Sequence, residues 1–363
     1  MKILLEINHP GQVHLLRHIY FELIRKEHFV IVITKKDHMI NNLLSIYKIP
    51  YILLGSKGKG IQGKIFKQLL FDYKAYKLVK KNKIEIGLGS SITNDHVSFL
   101  TSMKSIHLSD DDEDVVPFIT KYSYPFSEII LSPDCLVFKK YKNKNIGYPG
   151  YHELAYLHPK RFTPDEEVLH EAGVNPGEKY FVMRFNSFIA HHDIGAQGLS
   201  LENKRQLIDL LSPHGKVFIT TEKEIDQEFK RYQLTVSPEK VHSLLYYATM
   251  FIGDSQTMTS EAAVLGTPAI RSNSFVGRIS YLEEEENKYG LTFGFTPNKT
   301  EAMFEKIGEL LTFPQIKEEW QRRRQVMLQN KIDVTAFIVW FLENYPSSIA
   351  RIKQDPKIFN EFK

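Results

Sequence analysis

Phe251 to Ile270 reads FIGDSQTMTSEAAVLGTPAI. An apolar strand start runs into a small polar turn, then into a helical stretch that Gly266-Thr267-Pro268 stops. Ser255, Thr257 and Thr259 offer capping hydroxyls ahead of a helix expected to begin near Ser260. A helix N-terminus presents N–H groups without intrahelical acceptors and the positive end of the dipole, which together hold a phosphate. Glu261, expected in the first turn, can accept two hydrogen bonds from a ribose diol. The same turn is also consistent with a capped helix that binds nothing, in which Glu261 only compensates the dipole. Ser255, Gln256, Thr257 and Glu261 are the candidates here for holding a nucleotide.

Three other stretches carry reactive residue types. NHPGQVHLL (Asn8–Leu16) lies between a strand and a helix. Its Gly11 allows close backbone approach, and its His14 can take a proton from a hydroxyl at neutral pH. A capping loop with an incidental histidine is the plainer alternative. HLSDDDEDVVP holds five consecutive acids, Asp110 to Asp114. Asp110, just after a strand, is the best placed to act, and the others read as a solvated loop. Contiguous acids lack the spacing and glycine turn of a cation loop, so no metal is expected there. MRFNSFIAHHDIG follows another strand. Its Arg184 suits bidentate pairing with a phosphate, or an ordinary salt bridge. His191, His192 and Asp193 suit contact with a ligand better than a metal, because the further ligands of a metal phosphohydrolase are missing. The glycine spacing gives neither a P-loop nor a dinucleotide fingerprint, which excludes ATPase and NAD chemistry of those kinds.

GDSQTMTSEAAVLGTPAI resembles the nucleotide-binding segment of GT-B-fold glycosyltransferases and UDP-N-acetylglucosamine 2-epimerases. The chain as a whole resembles domain of unknown function 354, a GT-B-like family, through INHPGQVHLLRHI, YPGYHELAYL, VMRFNSFIAHHDIGAQGLS and the stretch just quoted. The resemblance implies that the turn at Ser255–Thr257 holds a diphosphate and that Glu261 holds a ribose. Gly11, Arg184 and His191 are further expected contacts to the nucleotide sugar. Loops like Asn8–Leu16 face the acceptor in GT-B enzymes, so His14 and Asp110 are the expected catalytic residues. The 2-epimerases carry an essential acid in a position similar to Asp110. They carry another after the preceding strand, where this chain has GLGSS, and that departure speaks against epimerisation. The expectation is a metal-independent transferase, without cofactor, that moves a sugar from a UDP-sugar to a hydroxyl acceptor in surface-polysaccharide or glycolipid assembly. The rivals are an epimerase or hydrolase on the same donor, and a binding protein that has lost the chemistry.

Strands alternating with helices in two runs must position these residues. KILLEI, FVIVIT, PYILLG, EIGLG, SIHLS and EIILSP form the first run, and KYFVMRF, KVFITT, the apolar end of KVHSLLYYATMFIGDS, and TPAIR the second. The expected fold class is α/β, with two doubly wound, Rossmann-like domains and an interdomain cleft. Residues 1–155 are the acceptor-side domain and 156–345 the nucleotide-sugar domain, joined through the aperiodic YPGYHELAYLHPKRFTPDEE. Residues 346–363 are expected to form a helix that packs back on the first domain.

Composition is ordinary for a globular protein, with 42% hydrophobic and 25% charged residues. The lone Cys135 excludes an internal disulfide and any multi-cysteine metal site. MKILLEINHP lacks the apolar run of a signal peptide, and no stretch is long enough to span a bilayer, which points to a cytoplasmic protein. Ser56–Lys83 carries nine lysines and one acid, Asp72, within a net charge of +4. A buried amphipathic helix with a lysine face is one reading. Peripheral contact with the anionic inner membrane face, where a lipid-linked acceptor is presented, is a second. Nucleic acid is not an expected partner.

Overall fold

Runs of Val, Ile and Leu with no polar alternation fold as strands covered on both faces, and that pattern builds two parallel sheets here. A computed structural model describes the chain except residues 57, 59, 186–197 and 222–224. Two compact units form, Met1–Arg161 with Lys331–Lys363, and Phe162–Asn330.

The first unit has seven strands: β1 (Lys2–Ile7), β2 (Phe29–Lys36), β3 (Ile52–Ser56), β4 (Ile86–Gly89), β5 (Lys104–Leu108), β6 (Ile129–Pro133) and β7 (Asn145–Tyr148). Their spatial order is β3-β2-β1-β4-β5-β6-β7, all parallel. The order reverses between β1 and β4, and crevices for ligands open beyond the carboxyl ends of the strands at such a point. β7 was not anticipated, because NIGY is four residues long and lacks an apolar run.

The return to the first unit comes at Lys331, earlier than residue 346. The cause is VTAFIVWFLE, the Val334–Glu343 helix, whose Phe337, Ile338 and Phe341 are fully buried. It packs on the Pro10–Arg25 helix and on the short Leu154–Leu157 helix. That short helix lies in the stretch expected to be a connection, yet Tyr151, Leu154, Tyr156 and Leu157 are core. Arg161 fastens the junction, with Nη1 2.6 Å from Glu22 Oε1 and Nε 2.8 Å from Asp333 Oδ2.

The second unit has five parallel strands: β8 (Tyr180–Phe185), β9 (Lys216–Thr221), β10 (Met250–Gly253), β11 (Ala269–Ser272) and β12 (Thr292–Phe295). Their order is β12-β11-β10-β8-β9, so the reversal falls between β8 and β10. Among the described residues no helix is long and apolar enough to cross a membrane.

Candidate functional site

In the second unit the switch point is the turn after β10. Gly253 pairs in register with Arg184 of β8 on one side and Arg271 of β11 on the other. A Cβ on Gly253 would stand 2.4 Å from the Arg184 carbonyl oxygen, so only glycine lets these strands lie this close. Asp254 and Ser255 follow, and the helix runs from Gln256 to Leu265. Ser255 is its N-cap and accepts from Met258 N at 3.3 Å. The remaining first-turn N–H groups, those of Gln256 and Thr257, have no acceptor within the helix. Both residues are partly exposed.

The helix thus begins four residues before the expected Ser260, which relocates Glu261. It stands in the second turn, 4% exposed, with Oε1 2.9 Å from His242 Nε2. His242 is on the Val241–Tyr247 helix and is itself buried. Glu261 is therefore a carboxylate fixed by a neighbouring imidazole rather than a solvated dipole partner.

Arg184 donates from Nη1 to Thr220 Oγ1 on β9 at 3.1 Å. Arg271 was missed in the sequence, where TPAIR reads only as the end of a strand. It is 1% exposed, and its Nη atoms make no hydrogen bond among the described residues. Among the described residues, Glu283 is the carboxylate within ion-pair distance, at 3.5 Å. Burial pushes the guanidinium below its ordinary value, against the nearby Tyr281 and Glu283. A buried cation with weak pairing at the carboxyl edge of the sheet suits an anionic guest. His191, His192 and Asp193 lie outside the described residues.

The switch point of the first unit is organised by Glu6, a buried carboxylate on β1. Glu6 Oε1 accepts from Asn8 Nδ2 at 2.8 Å and from Ser91 Oγ at 2.6 Å, and Oε2 accepts from Asn94 N at 3.0 Å. These bonds tie the loop after β1 to the loop after β4. His9 caps the Pro10–Arg25 helix, its Nδ1 accepting from Gly11 N at 3.2 Å. His14 is 7% exposed, with its Nδ1 3.3 Å from Tyr47 Oη and its ring 5.5 Å from that of Tyr156.

The acidic run divides by function. Asp112 Oδ1 accepts from Val137 N at 2.9 Å, and Glu113 accepts from the N–H groups of Lys139, Lys140 and Tyr141, each at 2.9 Å. These two pin the loop to residues 137–141 and are structural, where a solvated loop was expected. Asp110 instead meets His152, whose Nδ1 lies 3.4 Å from its Oδ2. His152 is buried, with Nε2 lacking a hydrogen-bond partner among the described residues, whereas the Asp110 side chain stays 49% exposed. Crowding by protein opposes charge on both, but their mutual attraction outweighs it. Asp110 is held below the usual carboxylate range and His152 above the usual imidazole value. Burial, then the Asp110, Asp112 and Glu153 carboxylates, push Asp111 well up. Neighbouring carboxyls shifted in opposite directions follow the pattern that sets a base apart from an acid. His152 was the residue missed here, although YPGYHE drew attention as a motif.

Two doubly wound parallel sheets, each with its polar loops at the switch point, define a GT-B-type α/β protein. The chain belongs to the family described as Protein of unknown function (DUF354), whose profile matches residues 1–285. A comparison with curated proteins finds no match. Solved structures similar in fold include the UDP-GlcNAc 2-epimerase from Neisseria meningitidis bound to UDP-GlcNAc, at TM-score 0.66 and 12% identity over 97% of this chain and 100% of that one. The S. aureus MnaA–UDP structure gives 0.67 and 11% over 95% and 96%. The spinosyn rhamnosyltransferase SpnG in complex with spinosyn aglycone gives 0.65 and 10% over 95% and 100%.

Proposed function

We propose that the protein is a metal-independent GT-B-type glycosyltransferase that moves a sugar from a UDP-sugar to a hydroxyl acceptor, in surface-polysaccharide or glycolipid assembly. The observation that carries this reading is the Gly253–Thr257 turn at the switch point of the second sheet. It offers the Gln256 and Thr257 N–H groups, between strands that bring Arg184 and Arg271 abreast. Helix dipole, N–H donors and guanidinium groups stabilise a departing diphosphate without a metal. Glu261, held by His242, accepts from the ribose hydroxyls. Similarity in fold to proteins solved with UDP, UDP-GlcNAc or a glycosyl acceptor supports the nucleotide-sugar assignment.

In the transfer, the acceptor oxygen bonds to the anomeric carbon as the bond from that carbon to the diphosphate breaks. The acceptor proton passes to Asp110, which His152 orients and keeps ionised. His14, enclosed by Tyr47 and Tyr156, supports the loop after β1 and is a weaker candidate for the base. Epimerisation of the same donor is the second reading, favoured by the opposite pKa shifts of the neighbouring Asp110 and Asp111.

Calorimetry with UDP, UDP-GlcNAc and UDP-glucose, followed by product analysis with the donor that binds, tests the proposal. A transferred sugar supports it. A free epimer or a free sugar with UDP selects the rivals, and absence of any nucleotide binding rejects the site.

A further inference from the structure

We propose that the Gly60–Asn82 helix, with the aromatic ridge beside it, seats the first unit on an anionic phospholipid bilayer. The helix has 23 residues, yet its buried side chains, Phe71, Asp72, Ala75 and Val79, all lie in its second half. A helix that served only the core would keep its apolar residues on that buried stripe along its whole length. Instead Ile61 is 77% exposed and Leu69 63% exposed, and Ile65, Phe66 and Tyr73 are also more than half exposed. Spacings of four and seven set Leu69, Tyr73 and Lys77, and Phe66, Tyr73 and Lys80, along one face.

Cationic groups accompany this face. Lys77 Nζ lies 4.4 Å from the Tyr73 ring centroid, and Lys80 Nζ lies 6.0 Å from that of Tyr76. The single acid of the helix is turned away from it. Asp72 is buried, with Oδ1 accepting from Gln68 Nε2 at 2.6 Å and Oδ2 2.8 Å from His96 Nδ1. The exposed surface of the helix therefore carries lysines and no carboxylate.

His96 also joins the helix to a second exposed apolar group. Its Nε2 is 3.0 Å from the Tyr122 carbonyl oxygen, and its ring packs edge-on to Phe126 at 5.3 Å. Phe99 meets Phe126 at 5.3 Å, and Phe118 meets Tyr122 at 5.0 Å. All four of these aromatic residues are exposed, and Lys121 Nζ lies 5.1 Å over the Tyr122 ring. Exposed aliphatic and aromatic groups flanked by lysines that can extend along them match one surface, in which anionic headgroups overlie hydrocarbon. A polyanion such as RNA would use the lysines and leave the aliphatic residues wet. A protein partner gives no reason for excluding acids. The inference is independent of the proposed activity.

Vesicle co-sedimentation tests it, with phosphatidylcholine alone and with about a third phosphatidylglycerol added. The full chain should bind the anionic vesicles only, and release as salt rises. Lys77→Gln with Lys80→Gln should weaken partitioning by roughly 30-fold, from the usual contribution of a lysine near such a surface. Phe66→Ser with Leu69→Ser should also release the protein, while unchanged melting temperatures show that both variants fold. Equal binding to both vesicle types, no binding to either, or anionic binding that survives both pairs of changes would overturn the proposal. A dimer in light scattering that Phe66→Ser with Leu69→Ser dissolves would assign the face to a second copy instead, and would equally overturn it.

Discussion

His152 Nδ1 stands 3.4 Å from Asp110 Oδ2, joining the turn after β7 to the loop after β5 through one ion pair. The buried member is the imidazole and the accessible member is the carboxylate, so in the proposed reaction a substrate would meet Asp110, with His152 behind it. Water screens the exposed side of the pair and limits its energetic weight.

Asp110→Asn should therefore lower turnover by about 10²–10⁴-fold, the usual share of general acid–base catalysis, and leave UDP affinity nearly intact. His152→Gln should act in the same direction, more weakly, and shift the acidic limb of the pH–rate profile upward. Single-turnover kinetics beside UDP calorimetry on the same preparations measures both. Full turnover in Asp110→Asn would remove it from the chemistry.

The pair also predicts a pH dependence of stability. The raised His152 contributes stability that is complete below its ordinary value of 6.5 and is lost as pH rises through its folded-state value. The lowered Asp110 contributes above its ordinary 3.8, and that share is lost as pH falls through its depressed value. The melting-temperature gap between the wild type and Asp110→Asn should thus be widest between those limits and close in alkali. In NMR titration the His152 midpoint should lie above 6.5 in the wild type and drop in Asp110→Asn, where burial is opposed by Glu153 alone.

Glu261 separates binding from folding through the choice of substitution. Glu261→Ala removes the carboxylate 2.9 Å from the buried His242 Nε2 and should cost about 0.5–1.5 kcal/mol of stability, the usual worth of a hydrogen bond. Glu261→Gln keeps an acceptor for His242 and should fold normally, yet lose roughly 1.5–3 kcal/mol of UDP binding energy. Thermal melts and calorimetry on both variants check this. An unchanged UDP affinity in Glu261→Gln would remove the ribose contact.

Arg271→Met replaces a buried, weakly paired cation with an apolar chain of similar length. Removing one member of a buried pair is costly where its partner stays buried, but Glu283 is 32% exposed and can be rehydrated, so little stability should be lost. If Arg271 serves an anion, the variant should melt no lower than the wild type while binding UDP at least tenfold more weakly. A variant that melts lower and binds UDP normally would make Arg271 structural.

Much of the fold was legible because covered parallel strands announce themselves as apolar runs, as KILLEI and FVIVIT do. β7 and β12 were not, since NIGY and TFGF are short and carry a glycine. The phosphate-type turn was visible in GDSQT, but the helix start was misplaced because Ser255, Thr257, Thr259 and Ser260 are all plausible caps. Only the tertiary pairing with His242 distinguishes a buried Glu261 from a solvated one. The position of Asp110 just after a strand was legible. His152 was not connected to it, because the contact depends on β6 and β7 being neighbours in the sheet. The burial of Arg271 was likewise set by strands on both sides, which a single run of residues does not display.

The Val334–Glu343 helix gives the first unit a discontinuous sequence, with Phe162–Asn330 intervening between its two parts. On the ribosome, which delivers the chain from its N-terminus, seven strands emerge long before the helix that packs on Pro10–Arg25 and Leu154–Leu157. Phe337, Phe341 and Leu342 of that helix are all fully buried in the finished unit. The second unit is continuous and needs nothing made after residue 330. Translation order is thereby inverted in assembly: the half made later can mature first, while the half made earlier is completed only when Lys331–Lys363 arrives.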